Sequence, residues 1–198
     1  MGQTISVISG DRYISEGQLK VSTRGACISA LFGCPWIYWA VVFSGNPTPL
    51  WFLIVTLASV LLVTWSIFRL RAVRHLTYSA AELAHWKSFR KLFWADFGIE
   101  WGLASIAVFV LARLGRFDLI PQALGVIIGL HFLPLARVFR LSRYYWMGSI
   151  MVVAELGSLL IHPGYIRNIF ACAAIGLTLW TTSVAILYRT SPGVAQPN

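Results

Sequence analysis

The sequence predicts an all-α, polytopic transmembrane helical bundle of six spans with both termini in the cytoplasm. Three observations carry that prediction. Apolar residues make up 58% of the 198-residue chain and charged residues only 12%, with a mean hydropathy of +0.72. Soluble domains are about half apolar and about a quarter charged, so a water-soluble fold of this size could not hide so much apolar surface. The apolar residues fall into six runs, and the basic residues gather between the runs on one predicted side.

The runs are residues 27–43, 50–68, 92–114, 119–136, 144–161 and 166–188. Each is close to the ~17–25 residues an α-helix needs to cross a bilayer. None alternates with period two, which argues against barrel strands. The first run is the least regular, because it is short and carries Pro35. Residues 1–26 read as a cytoplasmic N-terminal segment, 27–188 as the transmembrane domain and 189–198 as a cytoplasmic tail.

Turn signals fix the boundaries. Gly45-Asn46-Pro47-Thr48-Pro49 separates the first two runs, with Thr48 as N-cap and Pro49 at the first helical position. Gly115-Arg116-Phe117-Asp118 and His162-Pro163-Gly164 separate runs three and four, and five and six. The one long connection lies between runs two and three. Within it Ser79-Ala80-Ala81-Glu82 reads as a capping box, so a helix begins at Ser79, either as an interfacial helix or as an extension of the third span. A short echo links Ile67-Phe68-Arg69-Leu70 to Val138-Phe139-Arg140-Leu141, and Glu100-Trp101-Gly102 to Glu155-Leu156-Gly157. It suggests that spans two–three and four–five are duplicated hairpins.

Basic residues orient the bundle. Arg12, Lys20, Arg24, Arg69, Arg71, Arg74, Lys87, Arg90, Lys91, Arg137, Arg140, Arg143 and Arg189 fall on one side, against Arg113, Arg116 and Arg167 on the other. Cytoplasmic loops carry the excess of Lys and Arg, so the first side is assigned to the cytoplasm. The loop residues Arg69, Arg71, Arg74, Lys87, Arg90, Lys91, Arg137, Arg140 and Arg143 are expected to set topology and touch lipid headgroups. Although the net charge is +9, these residues sit in short clusters rather than along one solvated face. The lipid bilayer is therefore the expected partner, with a homo-oligomer or a membrane partner also compatible, and nucleic acid is not expected.

Ionisable residues inside apolar runs are costly, on the order of 2.5–3.5 kcal/mol each, and mark function by default. Asp96 and Glu100 lie four apart in the third run and share a helix face. His131 lies in the fourth run and Glu155 in the fifth. Counting ~1.5 Å per residue from the cytoplasmic ends places all four in that half of the membrane, at depths of roughly 6–16 Å. They are the candidates for a substrate or proton pathway, since imidazole exchanges protons near neutrality. The bland alternative is that they only fix helix packing.

No cofactor, metal site or catalytic residue is expected. Neither the Glu-x-x-His spacing of di-iron bundles nor His-Glu-x-x-His occurs, and Gly-x-Ser-x-Gly, P-loop and GxGxxG motifs are missing. The leading expectation is a small permease or proton-coupled carrier. The alternatives are a non-transporting membrane component (an assembly factor, sensor or partner subunit) and an intramembrane enzyme.

Gly129-Leu130-His131-Phe132-Leu133-Pro134, followed by Tyr145, Met147, Ser149 and Ile150, resembles a small family of bacterial multi-pass membrane proteins. Those proteins carry a Gly-x-His-(Phe/Leu)-Leu-Pro helix followed by a Tyr/Ser-Ile stretch. The resemblance covers about thirty residues and implies a bacterial inner-membrane location and a role for His131. It carries no activity with it.

Overall fold

The computed structural model describes residues 7–9, 12–14, 16–139 and 141–189. Arg140 and most of the expected tail therefore lie outside the described residues. A short antiparallel hairpin of β1 (Val7–Ser9) and β2 (Arg12–Ile14) precedes six α-helices. They are α1 (Glu16–Phe43), α2 (Pro49–Ala72), α3 (Ala80–Arg113), α4 (Ile120–Phe139), α5 (Ser142–Ser158) and α6 (Gly164–Arg189). Five of them, all but α5, contain stretches long and apolar enough to cross a membrane. The 17 residues of α5 extend only about 25 Å, somewhat short of a ~30 Å hydrocarbon layer.

Several boundaries follow local chemistry. Pro49 opens α2 behind Thr48, although the Thr48 side chain makes no capping bond. At Ser79 the capping box is complete: Ser79 Oγ accepts from Glu82 N–H (3.2 Å), and Glu82 Oε2 accepts from Ser79 N–H (2.7 Å). From there α3 runs unbroken to Arg113, so the segment before the third span extends that span and is not a separate interfacial helix. Gly115, at φ 69°, ends α3 with the paired bonds Arg116 N–H to Leu111 O and Gly115 N–H to Ala112 O. Those bonds form a Schellman stop, which needs a residue in the left-handed region.

The first helix differs most from the sequence expectation. It starts at Glu16 and not near Cys27, and it passes through Pro35. Gly17, Ser22 and Thr23, which read as solvated chain, are buried. The α2–α3 connection is pinned to this helix. Lys20 Nζ donates to the Arg74 and Leu76 carbonyls, and Arg24 Nη1 donates to the Tyr78 hydroxyl.

The helices pack in the order α2–α1–α6–α5–α4–α3, with α6 also touching α4, while α3 rests mainly on α4. The closely packed α4–α5 hairpin has no counterpart of that kind between α2 and α3, so the suggested duplication is not expressed in the packing.

The interior combines apolar clusters around Met147, Met151, Ile175 and Leu187 with small and polar residues at the helix contacts, and the outside is apolar. Buried positions on α1 include Ala26, Ser29, Ala30 and Gly33, whereas Leu61, Phe68, Ile106, Phe109 and Val153 are exposed. Between helices in lipid there is no hydrophobic gain, so small residues that let backbones approach, and hydrogen bonds across the interface, hold the helices together. Two such contacts organise this fold. Where α1 crosses α6, a methyl group on Gly176 would lie 2.6 Å from Ile37 and 3.1 Å from the Gly33 carbonyl. Beside this crossing Trp180 Nε1 and Ser183 Oγ donate to the Ala30 and Ala26 carbonyls, at 3.2 and 2.9 Å. Where α4 crosses α5, a methyl group on Gly129 would lie 3.0 Å from the Gly148 carbonyl, and one on Gly148 would strike the Gly129 carbonyl. Gly25 likewise leaves room for the Tyr144 hydroxyl.

Gly148→Ala is accordingly expected to cost about 1–3 kcal/mol, the usual penalty of overpacking, in a denaturation titration of the purified protein. Gly98→Ala on α3, where the added methyl meets nothing within 4 Å, is expected to be neutral or to stabilise by up to ~1 kcal/mol.

Candidate functional site

The register of α3 on α4 brings Asp96, Glu100 and His131 together. Asp96 and Glu100 stand one turn apart on the face of α3 that meets α4. His131 comes from α4, flanked by Ile127 and Leu130. His131 Nδ1 lies 2.9 Å from Asp96 Oδ2 and 3.4 Å from Glu100 Oε2. The three side chains are 10%, 15% and 18% exposed respectively in the order His131, Asp96, Glu100. They line a cleft of about 140 Å³ whose remaining walls are Ile99, Leu103, Ile127 and Leu130.

Two details make the group chemically open. Asp96 Oδ2 and His131 Nδ1 are both buried, and although ion-pair distance separates them, neither has an aligned hydrogen bond. Pro134 also has no N–H to donate to the Leu130 carbonyl, one turn back on α4, which leaves that carbonyl beside His131 without its usual helical donor. One imidazole facing two carboxylates can hold one positive charge against two negative ones. Such a group can exchange a proton or take a cation in a low-dielectric setting. Its donor atoms converge pairwise on one ring nitrogen, which is ion-pair geometry. Among the described residues no group of three or more His, Cys, Asp or Glu is disposed to hold a metal ion.

Glu155 does not join them. It lies three residues from the end of α5, at the opposite half of the bundle from that expected, and its side chain is fully buried against Gly125. A methyl on Gly125 would come within 2.5 Å of Glu155 Cγ. Neither carboxylate oxygen has a hydrogen-bond partner. Near the same end, Gln122 on α4 donates from Nε2 to Asn168 Oδ1 on α6 at 3.1 Å, both buried. Arg167 donates to the Asp118 carboxylate, which also accepts from Arg116 Nε at 3.2 Å. The hydrogen bonds from Arg116 and Arg167 hold the Asp118 carboxyl below the usual carboxylate range. Gln122 and Asn168 had no assigned role in the sequence. The signal was a lone amide within each of two apolar runs.

The basic residues collect at one end. Arg69 and Arg71 occupy the last turn of α2 and Arg74 the turn after it, while Arg137 closes α4 and Arg143 opens α5. Lys87, Arg90 and Lys91 follow on the early turns of α3. Hydrogen bonds from Lys20 to the α2–α3 loop and between His85 and the Val138 carbonyl tie this end together. The Arg116–Asp118–Arg167 group lies at the other end.

The chain matches no protein-family model, no curated protein and no solved structure.

A double-mutant cycle separates the triad from Glu155. Asp96→Asn and His131→Gln are expected to couple by about 0.5–3 kcal/mol in unfolding free energy, as residues in contact do, whereas Glu155→Gln and His131→Gln add within ~0.5 kcal/mol. Additivity in the first pair would dissolve the site.

Proposed function

We propose that the protein is a six-span, N-in/C-in membrane protein of the bacterial inner membrane and a small proton-coupled carrier or permease. The observation that carries the reading is the single imidazole nitrogen of His131 shared by Asp96 and Glu100 at the α3–α4 contact. Two carboxylates one turn apart in hydrocarbon repel each other and lose hydration. A proton or a cationic solute relieves both costs, so this group favours a positively charged cargo. Because α3 rests mainly on α4, a shift of α3 exposes the group while leaving the α1–α6 and α4–α5 crossings intact. Alternating exposure of this kind is what a carrier requires.

The orientation draws support from the clustering of basic residues at the end shared by the start of α1, the end of α2 and the start of α3. The sixth span is α5, whose 17 residues continue through Leu159–Ile161 toward the α6 hairpin. A second reading, a non-transporting partner subunit, is favoured by one feature. The span of α3 buries none of its residues within the chain, so another protein could cover it.

The test is proton movement in proteoliposomes loaded with a pH-sensitive dye. Wild-type protein is expected to dissipate an imposed proton gradient faster than protein-free vesicles. Asp96→Asn/Glu100→Gln is expected to fall to the protein-free rate, with Glu155→Gln retaining most of the flux. Equal rates for wild type and the double variant would remove the carrier reading, and stoichiometric co-purification of a membrane protein would then support the partner-subunit reading.

A further inference from the structure

An apolar concavity of the bundle lies away from the Asp96–Glu100–His131 group, on the opposite flank. Helices α2 and α6 both pack on α1 and touch each other only lightly, and an apolar groove of about 1000 Å³ is lined by the two. Its walls include Ala58, Leu61 and Trp65 from α2 and Leu177, Ala185 and Tyr188 from α6. Ala26 and Ala30 of α1, packed with Leu62, Trp65 and Trp180, make up the neighbouring core.

The length of the groove limits what can fill it. Along α6 it runs from Leu177 to Tyr188, eleven residues on, and along α2 from Ala58 to Trp65, seven residues on. At ~1.5 Å per residue the α2 wall is about 10 Å long and the α6 wall about 17 Å. The longer wall is close to half of a ~30 Å hydrocarbon layer. A transmembrane helix from a second copy would need a track of full membrane length, whereas an acyl chain of one leaflet needs half.

Charge then identifies the end at which a headgroup would sit. Arg69 lies one turn beyond Trp65 on the groove face of α2, at the end where the basic residues cluster. Its Nε and Nη2, the edge of the guanidinium that makes two parallel bonds to phosphate or carboxylate, are buried and have no hydrogen-bond partner. The acidic groups that form ion pairs among the described residues, Asp96, Glu100 and Asp118, are paired elsewhere. A buried guanidinium edge without an acceptor is costly, and an anion supplied from outside the chain offsets that cost.

From this juxtaposition we propose that the α2–α6 groove is a binding site for one anionic phospholipid of the leaflet on the basic side, with an acyl chain between Leu61, Leu177 and Ala185 and its phosphate on Arg69. The site is independent of the carrier reading, since it shares no residue with Asp96, Glu100 and His131.

The test is native mass spectrometry of the purified protein, delipidated and then offered dioleoylphosphatidylglycerol or dioleoylphosphatidylcholine, with circular dichroism to verify folding. The wild type is expected to retain one phosphatidylglycerol per chain with about fivefold preference over phosphatidylcholine, the scale of one basic side chain at an anionic headgroup. Arg69→Gln is expected to lose that preference while Arg71→Gln keeps it. Ala185→Trp, a substitution at an exposed groove position, is expected to lose the retained lipid. Equal retention of the two lipids by the wild type, or undiminished phosphatidylglycerol on Arg69→Gln or Ala185→Trp, would overturn the proposal.

Discussion

Everything else in this fold is hung on two places where helix backbones pass each other without side chains between them, Gly33 against Gly176 and Gly129 against Gly148. In lipid the hydrophobic effect does not push helices together, so close packing and cross-helix hydrogen bonds must do so. The α1–α6 crossing is reinforced by Trp180 and Ser183, which donate to carbonyls of α1. The α4–α5 crossing sets the rotation of α4. With Gly125 and Gly129 turned toward α5, Ile127, Leu130 and His131 are left facing α3.

That rotation divides the intramembrane polar groups into two sets. His131 meets Asp96 and Glu100 on one side of α4, while Glu155 fits against Gly125 on the other. The two sets differ in character. The first lines a cleft and has a titratable ring between acids. The second is sealed among α4, α5 and α6, alongside the Gln122–Asn168 bond, which suits fixing the packing of those helices. One helix thus turns a titratable face to a cleft and a glycine face to its packed neighbours.

Much of this was legible in the sequence where the signal was local. The capping box at Ser79, the glycine stop at Gly115 and the Pro49 start each depend on a few adjacent residues, and they stand where expected. The pairing of Asp96 with Glu100 followed from helical spacing alone. Two features were not legible. The polar beginning of α1 reads as solvated chain because Gly17, Ser22 and Thr23 are not apolar, yet in a membrane bundle small polar residues belong at helix contacts. The separation of Glu155 from His131 was also hidden: a depth counted from the start of the fifth run did not show that α5 ends three residues after Glu155, and rotation about a helix axis is set by the neighbour.

The account stands most directly on the contact between His131 and the α3 carboxylates. Nitrogen-15 magnetic resonance of His131 in bilayers reports its protonation and the partner of Nδ1. The account predicts a titration in the wild type that moves clearly in Asp96→Asn and Glu100→Gln and stays in place in Glu155→Gln. A His131 signal indifferent to both α3 substitutions would contradict it.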